Sequence, residues 1–242
     1  MIANIGHRGA ASLEPENTLR SFRRAAAEGA DAIELDLRLT RDGCLVILHD
    51  ADVNRTTSGS GPVASMTLDE IKHLDAGLGE RIPTFEEVLE ATELPIHAEL
   101  KTVETAEPLA ALIRERRLAT RVIPISFDLE ALRRVKLSLP DLPVGLILSG
   151  DSPSLVEARS VNASQVSPRA AYLDAAKVEY YRRAGFRITM WTVNEPEEMW
   201  RALGLGVDGI VTDRPDLLFG LRARARSRTS QLPLDTHRAD NS

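Results

Sequence analysis

The side chains able to do chemistry gather near the ends of short apolar runs. His7 and Arg8 close the first run in "ANIGHRGA", Glu34 and Asp36 lie in "AIELDLRLT", and Glu99 and Lys101 end "PIHAELK". His49 closes "CLVILHD". Carboxylates drawn together raise one another's pKa unless a cation neutralises them, and an all-oxygen set suits Mg²⁺, Ca²⁺ or Mn²⁺ better than zinc. Arg8 and Lys101 beside such a cation would cradle a phosphate. His7 and His49 supply what P–O cleavage needs, a base for the nucleophile and an acid for the leaving oxygen. The competing reading is an internal ion-pair network in a scaffold whose chemistry lies elsewhere.

Which reading holds depends on the elements that carry these residues. Apolar runs beginning near Ile2, Ala32, Pro95, Arg121, Pro143, Ala163, Arg187 and Asp208 alternate with amphipathic segments. That alternation calls for a parallel sheet, and the number of strands is that of a (β/α)₈ TIM barrel, an α/β fold. Strands of such a barrel have no solvated face, so Glu34, Asp36, Glu99 and Lys101 must point into the interior or its mouth. They sit toward the C-terminal ends of their strands, where barrel active sites lie.

"CLVILHD" is then surplus, and Asp42-Gly43 before it signals a hairpin extending strand 2. A two-residue turn there pairs Leu39 with Val46 and places His49 opposite Asp36, on the same face. The stretch at about 51–82, rich in Ser, Thr and Gly around "RTTSGSGP", is long for a barrel connection and reads as a small insertion capping the site.

Composition limits the alternatives. The chain has 242 residues, 43% of them hydrophobic and 27% charged, with a net charge of -6, which argues against a dedicated nucleic-acid binder. Its one cysteine, Cys44, forms no intrachain disulfide and is read as structural. There is no signal-peptide core and no transmembrane segment, so a cytoplasmic setting is the default expectation. Oligomeric state is not legible. The barrel is expected to occupy 1–221 as one domain, followed at 222–242 by an Arg-rich helix end fraying into disorder.

At its chemistry-bearing residues the sequence resembles the glycerophosphodiester phosphodiesterase family. "GHRGA", "PENT", "IELDLRLTRDGCLVILHD", "RTTSGSG", "IPTFEEVL", "HAELK", "ISFD", "WTVN" and "DGIVTDRPD" occur in that family's order, over about Ile2 to Phe219. The resemblance implies a TIM barrel that uses one divalent cation to hydrolyse glycerophosphodiesters to sn-glycerol 3-phosphate and an alcohol. It makes His7 and His49 the acid–base pair, Glu34, Asp36 and Glu99 the metal ligands, and Arg8 and Lys101 the phosphate contacts. It also implies that the glycerol 2-hydroxyl attacks phosphorus to give a cyclic phosphate that water opens. Trp191, which alone would read as core packing, matches the tryptophan that faces the glycerol carbons in that family. The alternatives are a lysophospholipase D-like or other glycerol-phosphate phosphodiesterase activity, or a barrel that binds metal or phosphate without catalysis.

Other polar residues take plainer expectations. His97 reads as a hydrogen-bonded interior histidine, and His73 as a surface residue of a short helix with a Thr67/Glu70 capping box. Asn17 reads as a helix cap that also steadies the mouth, Arg55 as a solvated loop residue, and Phe127 as either pocket wall or core.

Overall fold

In the computed structural model, which describes residues 2–150 and 155–229, eight parallel strands close into a barrel and a ninth lies outside it. In chain order the strands are β1 (Ala3–Gly6), β2 (Ala32–Leu39), β3 (Leu45–Ile47), β4 (Ile96–Leu100), β5 (Val122–Ser126), β6 (Gly145–Leu148), β7 (Gln165–Pro168), β8 (Arg187–Met190) and β9 (Gly209–Thr212). Pairing runs β1-β9-β8-β7-β6-β5-β4-β2-β3, and a β1–β2 pairing closes the ring. The expected fold is therefore the observed one, with each predicted strand start within two residues of its place.

Period-two alternation decides what each strand presents. On β2, Ile33, Leu35 and Leu37 are buried in the main core under the helices, and on β4 Ile96, Ala98 and Leu100 join them. Glu34, Asp36, His97 and Glu99 therefore face the barrel axis, where they too are buried. Burying roughly 25 cal/mol per Å² of apolar surface on the helix side offsets the cost of placing carboxylates inside.

The helices are α1 (Leu19–Ala27), α2 (Leu68–Lys72), α3 (Phe85–Ala91), α4 (Ala106–Glu115), α5 (Leu129–Ser138), α6 (Leu155–Ser160), α7 (Ala175–Arg183), α8 (Pro196–Leu205) and α9 (Pro215–Thr229), and side chains cap the first turns of α1, α2, α3, α5 and α7. Thr67 and Thr84 each form a capping box, with Glu70 and Glu87. His73 is exposed, as expected. At α1 the cap is Thr18, whose side chain accepts from the Ser21 amide, and not Asn17. Asn17 holds a positive φ of 58° and turns its amide inward, donating to Asp36 Oδ2 at 2.8 Å.

The hairpin departs from the expected register by one residue. Leu39 pairs with Leu45, Arg38 with Val46 and Leu37 with Ile47. The cause is a three-residue turn: Gly43 takes φ 81°, its amide donates to Thr40 O at 3.0 Å, and Thr40 N–H donates to Cys44 O at 3.0 Å. A one-residue shift would send His49 to the wrong face, but β3 ends at Ile47 and the chain turns before reaching it. Arg38 then pins the new course, its guanidinium donating to the His49 carbonyl at 2.6 and 3.0 Å. Val53, Val63, Ile71, Ala76 and Ile82 of the inserted stretch bury a small core of their own against Val46 and Leu48.

The last helix runs through Thr229, past the barrel boundary expected at 221. Arg222 is buried and ion-paired with Asp31, at the start of β2, so charge that suggested an unstructured end ties this helix to the barrel instead. The remainder of the tail, from 230 to 242, lies outside the described residues.

Candidate active site

The site is built from the C-terminal ends of β1, β2, β4, β8 and β9 with the loops that follow them. Parallel register sets Glu34 beside His97 and Asp36 beside Glu99. One oxygen from each of Glu34, Asp36 and Glu99 lies within 4.8 Å of the others, and all three residues are buried. Burial, with the Asp36 charge beside it, pushes the Glu34 carboxyl up to about 8. Burial and Asp36 likewise push Glu99 up to about 7, against the pull of Lys101. Burial would also raise Asp36, but Lys101 and Arg8 outweigh it and hold this carboxyl below the usual range. Lys101 Nζ is 2.7 Å from Glu99 Oε1 and 3.4 Å from Asp36 Oδ1. Three carboxylates facing two cations thus leave negative charge that the ion-free cluster relieves by taking up protons, on oxygens that would otherwise serve as hard donors to a cation.

Arg8 is placed by the "GHRG" turn. It adopts φ 51°, its amide donates to Glu34 Oε2 at 3.1 Å, and its guanidinium bridges Glu16 at 2.8 Å and Asp36 at 3.3 Å. The turn needs glycine after it: Gly9 has φ 87°, and a Cβ there would meet Ser21 Oγ at 2.4 Å.

Both histidines are oriented by a carboxylate on Nδ1, which leaves Nε2 for chemistry. His7 Nδ1 lies 2.6 Å from Asp213 Oδ1, with Nε2 4.0 Å from Glu34. His49 Nδ1 lies 2.7 Å from Asp50 Oδ1. Burial pulls His7 down, yet the Asp213 hydrogen bond and the Glu34 charge outweigh it, and His7 ends above the ordinary histidine value. At His49 burial prevails over Asp36 and Asp50, and the imidazole ends below that value.

Arg55 is not a free loop residue. It donates to Asp50 Oδ2 at 2.6 Å and to both Glu16 oxygens at 2.8 Å, and these ties help hold Asp50 down at about 2. Since Glu16 also holds Arg8, one chain of contacts runs from His49 through the insertion to Arg8. Sequence reasoning did not find Asp213, Asp50 or Arg55 in these roles. The signal for Asp213 was its place just past a barrel strand in "IVTDRPD", the position from which barrels draw site residues.

A cavity of about 210 Å³ is lined by every expected site residue except Asp36, whose carboxylate lies behind Arg8 and Lys101. Trp191 forms a wall, its Nε1–H donating to Ser167 O at 2.7 Å. Phe127 meets it edge to face, ring centroids 5.5 Å apart, and at 44% exposure belongs to the mouth and not to the core. His97 also lines the cavity, but it is not the hydrogen-bonded interior residue expected. Its Nδ1 is buried with no partner, and burial pushes the imidazole down to about 4.

The glycerophosphoryl diester phosphodiesterase family profile matches residues 7–217. A glycerophosphodiester phosphodiesterase of Caldanaerobacter subterraneus is 40% identical over 236 residues, covering 90% of this chain and 96% of that one. One from Bacillus subtilis is 34% identical, covering 91% and 86%. Among solved structures, an Oleispira antarctica phosphodiesterase in complex with the product sn-glycerol-3-phosphate superposes with a TM-score of 0.85 at 26% identity, covering 90% of this chain and 96% of the other. A glycerophosphodiester phosphodiesterase from Agrobacterium tumefaciens gives 0.81 at 33% identity, covering 90% and 99%.

Proposed function

The chain belongs to the glycerophosphoryl diester phosphodiesterase family and is an enzyme of that class; we propose that it acts with one divalent cation and a pair of histidines, yielding sn-glycerol 3-phosphate and an alcohol. The observation that carries this reading is the pairing of two carboxylate-oriented histidines, His7 and His49, across one cavity from a buried three-carboxylate cluster. The product named in the Oleispira relative's complex supports the same product here.

Glu34, Asp36 and Glu99 would hold the cation, Mg²⁺ or Ca²⁺ with Mn²⁺ a third choice, since all three offer hard oxygen donors. When bound it supplies charge stabilisation to the phosphoryl oxygens. Arg8 and Lys101 bind and orient the phosphate. His49, which favours its neutral form, takes the proton from the glycerol 2-hydroxyl as that oxygen bonds to phosphorus. His7, which favours its charged form, gives a proton to the alcohol oxygen as the P–O bond breaks. The roles then reverse: His7 takes a proton from water attacking the cyclic phosphate, and His49 returns one to the 2-oxygen. Trp191 packs on the glycerol carbons. Glycerophosphocholine and glycerophosphoethanolamine are the substrates proposed.

Among the described residues no helix is long and apolar enough to cross a membrane. We also place the enzyme in the cytoplasm, in keeping with the unpaired Cys44.

The test is the pH profile of kcat/KM on glycerophosphocholine. Activity rises as His49 loses its proton and falls as His7 loses its own, with the His7 limb the more alkaline of the two. Asp213→Asn removes what holds His7 up, so the alkaline limb moves to lower pH. An alkaline limb left in place by Asp213→Asn contradicts His7 as proton donor.

A further inference from the structure

The cavity does not stop at the phosphate cradle. One strand step below Glu99, about 7 Å toward the N-terminal end of the barrel, its lining changes character. Here β4 contributes His97, β7 Ser167 and β8 Thr189, between apolar walls from Ile125, Ile147 and Val211. His97 is only 7% exposed; its Nδ1 is sealed off without a hydrogen-bond partner, so the ring meets the cavity through its other edge and Nε2. No described protein group bonds Nε2 either, which leaves that nitrogen free to exchange water for a hydroxyl in the cavity. Ser167 Oγ accepts from Gln165 Nε2 at 3.1 Å, which leaves its own O–H to donate elsewhere.

We infer that His97, Ser167 and Thr189 form a hydroxyl subsite that binds the free terminal hydroxymethyl group of the substrate's glycerol unit, and that this closed floor makes the enzyme selective for diesters carrying no acyl chain on that oxygen. The inference rests on the phosphodiesterase reading above and goes on to name the part of the substrate each end of the cavity takes. Three points support the orientation. Hydroxyls and an imidazole offer both donors and acceptors, which suits a neutral alcohol. Apart from Glu34, committed to the carboxylate cluster, this level carries no acidic group or aromatic cage for a quaternary ammonium, whereas Phe127 lies exposed at the mouth. The three-carbon glycerol chain spans the step from the phosphate cradle to His97, so the alcohol group points outward.

The floor is closed. Ala32 and Gln165 sit one step below Glu34 and Ser167, and with Ile5 they are buried. At about 210 Å³ the cavity is below the roughly 300–1,000 Å³ of sites that hold drug-sized ligands. A fatty acyl ester on the terminal oxygen has nowhere to go.

The experiment compares wild type and His97→Leu on three substrates: glycerophosphocholine, 2-hydroxypropyl phosphocholine and lysophosphatidylcholine. The second keeps the attacking 2-hydroxyl and lacks only the terminal one. Wild type is expected to lose about 10–100-fold in kcat/KM when that hydroxyl is removed, and about 100-fold or more when it is acylated. His97→Leu is expected to lose at least about tenfold more on glycerophosphocholine than on the deoxy diester, because its partner is already missing there. His97→Asn, which keeps a donor and an acceptor, recovers part of the loss. Should His97→Leu not fold, Ser167→Ala and Thr189→Val are read in the same two-substrate comparison. Equal wild-type rates on the parent and deoxy diesters, equal losses on both in the variants, or ready cleavage of the lysolipid overturns the subsite while leaving the phosphodiesterase reading intact. A wild-type enzyme that cleaves none of the three overturns that reading, and the subsite with it.

Discussion

His49→Ala is expected to lower kcat on glycerophosphocholine by about 10²–10⁴-fold, the range contributed by a positioned general acid or base. The side chain is partly exposed and its main contact is with the adjacent Asp50, so stability should change by no more than about 0.5 kcal/mol. His7→Ala should match it in kcat. Since one histidine works as base while the other works as acid, the double variant should be little worse than either alone. Arg55→Ala tests the ties that hold Asp50, with a smaller expected loss because Arg55 acts through Asp50 and Glu16. Steady-state rates beside thermal melts decide the matter. More than a tenth of wild-type kcat in His49→Ala would remove it from the proton transfers.

The second large effect concerns the cation. Glu34→Gln is expected to weaken Mg²⁺ or Ca²⁺ binding at least about a hundredfold, measured by calorimetry, and to cut activity at subsaturating metal in proportion. The pH dependence follows from the raised carboxyls. In the metal-free protein Glu34 binds its proton up to about 8, whereas an unfolded glutamate releases it at the model value of 4.5. Between those values the folded state holds the extra proton, so metal-free stability falls as pH rises through that window. A cation replaces the proton, so the rise in melting temperature on adding metal should be larger at pH 8 than at pH 5. An equal rise at both would mean the ion binds elsewhere.

Much of this site was legible because barrel geometry turns spacing into direction. Glu34 and Asp36, or Glu99 and Lys101, two apart on strands with no solvated face, could only converge on the axis. The apolar residues between them, Leu35 and Leu100 among them, are found in the core as that argument requires. Contacts made across loops were not legible. Asp213 and His7 are 206 positions apart, and nothing local in either stretch states that they meet. The hairpin register failed because "TRDGC" is compatible with a two- or three-residue turn, and the choice fell to the Thr40–Cys44 bonds. His49 still reached its place because the strand ended before the error could matter. Asn17 and Thr18 compete for the same cap, and burial of the Asn17 amide against Asp36 decided it. Arg222 read as tail because its partner Asp31 lies at the far end of the chain.

The proposed chemistry joins a cation held by Glu34, Asp36 and Glu99 to protons moved by His7 and His49 in cleaving a glycerophosphodiester. Its most direct test is release of sn-glycerol 3-phosphate from glycerophosphocholine by metal-stripped protein, with Mg²⁺, Ca²⁺ or Mn²⁺ added back, beside His49→Ala and Glu99→Ala. Release is expected only with added cation and is expected to be lost in both variants. Full activity without metal, or folded variants as active as wild type, would contradict that chemistry.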